Sequence, residues 1–167
     1  MRALEPSDLD FLYQLENDTG IWEISGTLKP YSRKVLKKYL ENAHRDIYEV
    51  KQLRLCICQG DGRLVGLIDL FDFDPRHRRA GVGIVIAKAG DRNKGMGAEA
   101  LSLLCGYAFK ILDLHQLYAN ILAENRESIH LFEKMGFEKI GLKKQWIRSH
   151  SGFKDEIMFQ KISTGVS

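Results

Sequence analysis

The stretch from residue 84 to residue 101 constrains the fold more than any other part of this chain. A strand-like apolar run precedes a turn with two glycines and a helical pattern from Ala98; the run is Ile84-Val85-Ile86-Ala87 and the turn is Arg92-Asn93-Lys94-Gly95-Met96-Gly97. A helix that starts after such a turn presents unpaired N–H groups and the positive end of its dipole. Glycine also lets a ligand approach the backbone closely. Because Arg92 and Lys94 add positive charge, we expect a phosphate group here, in particular the pyrophosphate of a cofactor.

Length and composition set the class of protein. With 167 residues and 44% hydrophobic residues, the chain can bury the core of one domain, which we place over residues 1–167. The small formal net charge of +3 argues against a nucleic-acid surface, and no apolar run is long enough to span a membrane. Cys56, Cys58 and Cys105 have neither the pairing of a disulfide framework nor the spacing of a metal site. We therefore expect a reduced, cytoplasmic enzyme without a metal.

The first half of the chain predicts helices followed by antiparallel strands. A short strand at residues 2–4 precedes a helix that opens at Pro6-Ser7-Asp8, and residues 17–20 are expected to end that helix. We expect residues 21–30 to be irregular and a second helix to run from its cap Ser32 to about residue 45. Alternating apolar and polar residues then predict three strands, at 53–58, 64–73 and 80–87.

The second half predicts a helix and strand that complete a β-α-β unit, then one more helix and a hairpin. The helix after Gly97 runs to about residue 112, a strand covers 115–122, and Asn125 caps a helix that ends at Gly136. The hairpin strands are expected at 137–146 and 153–160. This order indicates an α/β fold with a mixed, largely antiparallel sheet flanked by helices, and the glycine turn lies in its central β-α-β unit.

Two motifs resemble those of the GNAT N-acetyltransferases over almost the whole chain. The first is Arg92-x-x-Gly95-x-Gly97, which matches the family's acetyl-CoA signature of Gln or Arg, two spacers, Gly, one spacer, and Gly or Ala. The second, at the expected separation, is Asn125-x-x-Ser128-x-x-x-Phe132-x-Lys134-x-Gly136-Phe137. Within the family, two further segments are similar to the spermidine and diamine (polyamine) acetyltransferases and to the ribosomal-protein N-terminal acetyltransferases: Gly66-Leu67-Ile68-Asp69 and His77-Arg78-Arg79-Ala80.

The resemblance implies which residues hold acetyl-CoA, the co-substrate of this family. The strand edge at residues 84–86 would hold the pantetheine arm, at the place where this strand separates from the next. The turn at residues 92–97 would bind the pyrophosphate. Asn125 would bond the pantetheine or acetyl region, or act as a helix cap alone. Phe132 would lie beside the cofactor, and Lys134 would either reach it or stay in solvent.

The resemblance also implies the chemistry and exposes two departures from it. In such enzymes a primary amine attacks the thioester carbonyl, and because an alkyl amine has a pKa of roughly 10 it must first lose a proton, which a carboxylate can accept. Phe132 stands where many relatives carry a tyrosine proposed as the acid for the thiolate, and Gly81 stands where some carry a glutamate base. Asp69 is the catalytic base that we expect instead, with Asp72 and Asp74 nearby.

The residues alone leave other functions and several acceptors open. Gly95-x-Gly97-x-x-Ala100 also satisfies the glycine pattern of dinucleotide oxidoreductases, although it lies in mid-chain after antiparallel strands. A non-catalytic acyl-CoA binder would explain Phe132 and Gly81. Polyamines, peptide N-termini, amino sugars and aminoglycosides all remain as acceptors, and an exposed strand edge is compatible with a homo-oligomer.

Overall fold

A mixed sheet lies at the centre of the computed structural model, which describes residues 1–165. The described residues form seven strands: β1 (Arg2–Ala3), β2 (Leu53–Cys58), β3 (Leu64–Asp74), β4 (Arg79–Ile86), β5 (Gln116–Leu122), β6 (Glu138–Ser149) and β7 (Gly152–Ile162). They lie in the order β1-β2-β3-β4-β5-β7-β6, and all neighbours are antiparallel except β4 and β5. The helix α5 connects these two parallel strands, so the predicted α/β fold with a central β-α-β unit is confirmed. The predicted domain of residues 1–167 ends two residues outside the described range and stays a prediction.

Six α-helices flank this sheet in the described residues: α1 (Leu9–Glu16), α2 (Thr19–Ser25), α3 (Arg33–Glu41), α4 (Ile47–Val50), α5 (Met96–Lys110) and α6 (Arg126–Lys134). Side-chain caps fix several of their starts. Ser32 accepts a hydrogen bond from the N–H of Val35 at the start of α3, and Asn125 accepts one from Ser128 at the start of α6. Gly136, with φ +78°, ends the segment after α6 as predicted. None of the helices described here is long and apolar enough to cross a membrane.

The segment that the sequence predicted to be irregular contains a helix. The Asp18 carboxylate accepts a hydrogen bond from the N–H of Gly20 at 2.9 Å, which caps α2, and Gly26 ends this helix with φ +69°. The prediction of an irregular segment was therefore wrong for residues 21–25 and is confirmed for residues 26–30. It failed because Asp18 belongs to a helix start and not only to a helix end. The helix from Ser32 also stops earlier than predicted, at Glu41.

Each face of the sheet has its own buried core. Helices α5 and α6 cover the back face, where Leu104, Leu117 and Phe159 are fully buried. Helices α1 and α3 cover part of the front face, around Leu12 and Leu67. Successive residues of a strand point to opposite faces of the sheet, whereas directly paired residues of neighbouring strands point to the same face. The front position of Leu67 in β3 therefore identifies the other front-facing side chains of β3, β4 and β5.

An ion pair with a buried carboxylate anchors the N-terminus to the front core and predicts acid sensitivity. Both carboxylate oxygens of Asp8, whose side chain is 6% exposed, accept hydrogen bonds of 2.8 Å from Arg2. These bonds hold the pKa of Asp8 below its usual range. Because the folded pKa is depressed, the stabilisation is present above the unfolded pKa of about 3.9 and is lost as pH falls through the folded value.

We expect Asp8→Asn to lower the free energy of unfolding by about 2 kcal/mol at pH 7, measured by urea denaturation. The difference from the wild type should shrink as pH falls below about 4, where the carboxylate of the unfolded chain is protonated first and that of the folded protein at lower pH. Asp10→Asn removes the exposed pair of Asp10 with Arg33 and serves as the control, with little effect expected. A difference that stays constant down to pH 2 would contradict the assignment to Asp8.

Candidate active site

A cleft opens between the two parallel strands at the centre of the sheet. β4 pairs with β5 only through Arg79–Gly81 and Gln116–Tyr118 in the described residues, while β5 continues beside β7 as far as Leu122. β4 remains paired with β3 up to Ile86, so its other edge is free along Ile84, Val85 and Ile86. Alternate residues of a strand direct their N–H and C=O groups to opposite edges, and β3 uses only one edge of β4. The groups on the other edge are therefore available to a ligand that lies along the strand. The predicted separation of the two strands is therefore present.

The glycine turn lies at the open end of this cleft. Asn93 and Gly95 have positive φ angles of 59° and 83°, and Gly95 is the N-cap residue of α5 without a side-chain cap bond among the described residues. The first amide groups of this 15-residue helix are therefore left to an external acceptor. Arg92, Asn93 and Lys94 are exposed, and Arg92 Nε donates to the carbonyl of Ile86 at 3.3 Å. The turn has the groups and the accessibility that an anion requires.

Gly97 lies where α5 passes closest to β4 and α6. A Cβ atom added at Gly97 would lie 3.4 Å from Leu131 Cδ2 and 3.7 Å from Ile84 Cδ1. These are ordinary contact distances, so an alanine fits, but a longer side chain would enter the gap between Ile84 and Leu131. Met96, the first residue of α5, is half-buried next to it. The second glycine of the motif therefore keeps this gap open.

The three candidate residues at and in α6 have different surroundings. Asn125 Oδ1 accepts the capping bond from Ser128 at 3.1 Å, which leaves its amide NH₂ group available. Phe132 is 2% exposed and packs edge-to-face on Phe137, with ring centroids 4.9 Å apart. Lys134 is exposed in the last turn of the helix. The capping role of Asn125 is thus certain from its geometry, and Phe132 belongs to the back core.

Asp69 lies on the front face at the free strand. It pairs directly with Gly83 of β4, so no side chain of that strand stands between its carboxylate and the cleft. Arg54 Nε and Nη2 donate to its two oxygens at 2.7 and 3.1 Å, and Arg54 Nη1 donates to Glu16 at 2.7 Å. All three side chains are about one-fifth exposed or less. Asp69 is thus a fixed carboxylate that keeps lone pairs for a further donor.

A cluster that the sequence did not predict covers the closed end of the cleft. A Cβ atom at Gly81 would lie 2.3 Å from the nearest atom of the Phe71 ring, so this ring lies directly on the glycine. Phe71 packs edge-to-face on Tyr118, at 5.9 Å between centroids, and the Tyr118 hydroxyl donates to Asp72 at 3.3 Å. Burial, with Asp72 beside it, raises the pKa of Tyr118, which keeps the hydroxyl a donor at neutral pH. The sequence signal for this cluster was limited to two glycines, Gly81 and Gly83, in the strand that follows the one carrying Phe71.

Helix α2 reaches the rim of the same cleft. Lys154 of β7 contacts Glu23 of α2 at 3.0 Å and also contacts Glu124, the residue before the cap of α6. The hydrogen bonds to Glu124 and Glu23 raise the pKa of Lys154. This three-residue contact places the N-terminal helices next to the front of the opening, so a molecule that enters there meets α2 on one side and β7 on the other.

Comparisons with known proteins identify the class to which this arrangement belongs. Residues 1–138 match the family model for the acetyltransferase (GNAT) domain. The chain is 31% identical over 141 residues to the spermidine N(1)-acetyltransferase of Vibrio cholerae, which covers 84% of this chain and 79% of the relative. It is also 31% identical over 141 residues to the spermidine N(1)-acetyltransferase of Escherichia coli K12, with 84% and 73% covered.

The same relationship is seen in three dimensions. The crystal structure of spermidine N-acetyltransferase from Vibrio cholerae in complex with CoA and spermine superposes with a TM-score of 0.85 at 26% identity and covers 96% of this chain and 93% of that chain. The protein therefore uses acetyl-CoA as its co-substrate and transfers an acetyl group from it to an amine. The oxidoreductase and the non-catalytic binder are set aside. This chain belongs to the GNAT acetyltransferase family.

Proposed function

We propose that the acceptor is a polyamine, acetylated at a primary amine. The observation that carries this proposal is a front-face cavity of about 490 Å³ at the closed end of the cleft. Its lining is polar and partly acidic: Asp72, Asp74, Arg79, Gln116, Tyr118, Met158 and Gln160. Asp74 is 3.4 Å from Arg79, whereas Asp72 accepts from the uncharged Tyr118. The carboxylate of Asp72 is therefore suited to an ammonium group at a distance from the reacting amine, a group that a polyamine has. The names of the two relatives support the same class.

The cofactor-binding residues of this proposal line the path from the glycine turn to the closed end of the cleft. The backbone of residues 92–97 would bind the pyrophosphate, and the free edge of Ile84, Val85 and Ile86 would bind the pantetheine arm. Acetyl-CoA supplies an activated acyl group when it is bound. A backbone N–H of β4 can donate to the carbonyl oxygen as negative charge develops there. Asn125 would use its amide NH₂ group, and the exposed Lys134 would reach the cofactor from the last turn of α6.

Asp69 is the proposed proton acceptor for the amine. Its carboxylate faces the cleft across Gly83, and Arg54 fixes its orientation while both oxygens keep capacity for a donor. The proton would pass to it directly or through one water molecule. Phe132 cannot donate a proton to the departing thiolate, so we propose that holding the two reactants together supplies the larger part of the rate enhancement.

We also propose that the protein forms a homo-oligomer and works in the cytoplasm. β6 is the edge of the sheet and exposes Ile140, Leu142 and Trp146, which suits pairing with another copy of the chain. A solved structure of the Vibrio cholerae relative is described as dodecameric. The cysteines of the described residues are all unpaired thiols, as expected for a protein of the reducing cytoplasm. A peptide N-terminus is the second candidate acceptor, because the sequence motifs are also similar to those of the ribosomal-protein N-terminal acetyltransferases.

CoA release from acetyl-CoA against a panel of amines tests the acceptor. We expect kcat/KM for spermidine, spermine or a diamine to exceed that for amino sugars, aminoglycosides and N-terminal peptides by about tenfold or more. The reason is that a linear polyamine can place a second ammonium group at Asp72 while its reacting amine lies in the cleft. Asp72→Asn should lower this preference, whereas Asp113→Asn removes an exposed carboxylate elsewhere and should not. Efficient turnover of peptides with none of polyamines would refute the proposal.

A further inference from the structure

An ion pair with a nearly buried carboxylate lies directly behind the glycine turn. Asp91 is the residue before Arg92 and ends a short 3-10 turn, Ala89–Asp91. Its side chain is 8% exposed, and its two oxygens accept hydrogen bonds from Arg63 Nη1 and Nη2 at 3.0 and 2.8 Å. A two-bond arginine–carboxylate pair fixes direction as well as distance. The start of the turn is therefore held at one defined place.

The arginine of this pair is itself fixed to the sheet. Arg63 lies in the β2–β3 turn, next to the first residue of β3, and its Nη2 also donates to Gln59 Oε1 at 2.8 Å. Its carbonyl accepts from the N–H of Gln59 at 2.9 Å, and its own N–H donates to Asp61 at 3.0 Å. The pair thus connects the glycine turn, which is otherwise exposed from Arg92 to Gly95, to a hydrogen-bonded hairpin.

An anion site at the glycine turn needs the ion pair between Arg63 and Asp91, because Asp91 alone would place a negative charge beside the bound anion. Lys94, one of the exposed cations of the turn, has its Nζ 3.9 Å from Asp91 Oδ1. The hydrogen bonds from Arg63 hold the pKa of Asp91 below its usual range, so the carboxylate is ionised at neutral pH. Without Arg63, this negative charge would draw Lys94 inward and would repel a phosphate at the neighbouring amide groups.

We infer that Asp91 and Arg63 are positioning residues that shape the turn for the pyrophosphate of acetyl-CoA, and that Arg63 cancels the negative charge of Asp91 next to it. This inference rests on the proposed assignment of the pyrophosphate to residues 92–97. Neither residue needs to touch the cofactor: Asp91 acts through the backbone of the turn, and Arg63 acts through Asp91.

Arg63→Gln provides the test, because it leaves Asp91 charged and unpaired. We expect the Kd for CoA, measured by calorimetric titration, to rise about tenfold or more, while kcat at saturating acetyl-CoA stays within about twofold of the wild type. Turnover of S-acetylpantetheine, which lacks the pyrophosphate, should be unchanged. Adding Asp91→Asn to Arg63→Gln should recover part of the affinity for CoA, because it removes the repelling charge. Arg78→Gln, which breaks the exposed pair with Asp113, is the control with no expected effect.

The possible results separate this inference from the assignment on which it rests. CoA affinity in Arg63→Gln equal to that of the wild type would overturn the inference, as would an equal loss with CoA and with S-acetylpantetheine, which indicates general damage to the cleft. Wild-type protein that turns over S-acetylpantetheine as well as acetyl-CoA would instead overturn the pyrophosphate assignment, and the inference with it. Thermal melting and circular dichroism of each variant show that the fold is retained.

Discussion

Leucine in place of Gly97 is expected to weaken acetyl-CoA binding by about 100-fold or more while the protein stays folded. The Cβ atom itself is tolerated, at 3.4 Å from Leu131 and 3.7 Å from Ile84, but the rest of the leucine would fill the gap between these side chains. We expect the cofactor to pass this point on its way from the pyrophosphate turn to the free edge of β4. Calorimetric titration with CoA measures the loss, and thermal melting shows whether the fold is retained.

Two matched variants separate obstruction of the site from damage to the helix. Gly97→Ala adds only the tolerated atom and should bind CoA within a fewfold of the wild type. Gly106→Leu places the same bulk in the same helix at a position where no described atom lies within 4 Å of the added Cβ, and it should leave binding unchanged. If Gly97→Leu binds CoA with wild-type affinity, the cofactor does not pass between Ile84 and Leu131.

Asparagine in place of Asp69 is expected to lower kcat by about 100-fold, since loss of a general base typically has an effect of this size. The variant keeps the shape of the side chain but removes its proton-accepting capacity and one charge partner of Arg54. The rate should regain part of the loss at high pH, where more of the amine is already deprotonated. Initial rates at saturating acetyl-CoA between pH 6 and pH 10 measure both effects.

Glu16→Gln is the control for Asp69→Asn because both carboxylates bind the same guanidinium. Arg54 loses one ion-pair partner in either variant, so any structural effect of a weakened cluster should be similar. Only Asp69, however, pairs across to Gly83 and faces the cleft. Equal losses of kcat in the two variants would assign Asp69 to the stability of the cluster and leave the role of proton acceptor to another group, with Asp72 as the next candidate.

Local signals in the sequence predicted the backbone of the glycine turn and the ends of the helices near it. A glycine turn between a strand and a helix depends on residues that are neighbours in the chain, and the structure has this turn with Gly95 in the left-handed region and α5 starting at Met96. Asn125 as a cap and Gly136 after α6 are equally local. The same kind of reasoning failed at residues 17–25, because an Asp-Thr-Gly segment can end one helix and begin another, and only the packing of α2 decides between them.

The sequence by itself determined most of the strands and helices, the glycine turn between β4 and α5, and the family to which the chain belongs. The tertiary structure alone decided that Phe71 lies on Gly81 and that Arg54 joins Asp69 to Glu16 beside the cleft. It also decided that Arg63 pairs with Asp91 behind the glycine turn. The physical reason is distance along the chain. Turns and caps are fixed by residues within a few positions, whereas these contacts join side chains from separate strands and helices that meet only when the sheet has formed and both of its cores are packed.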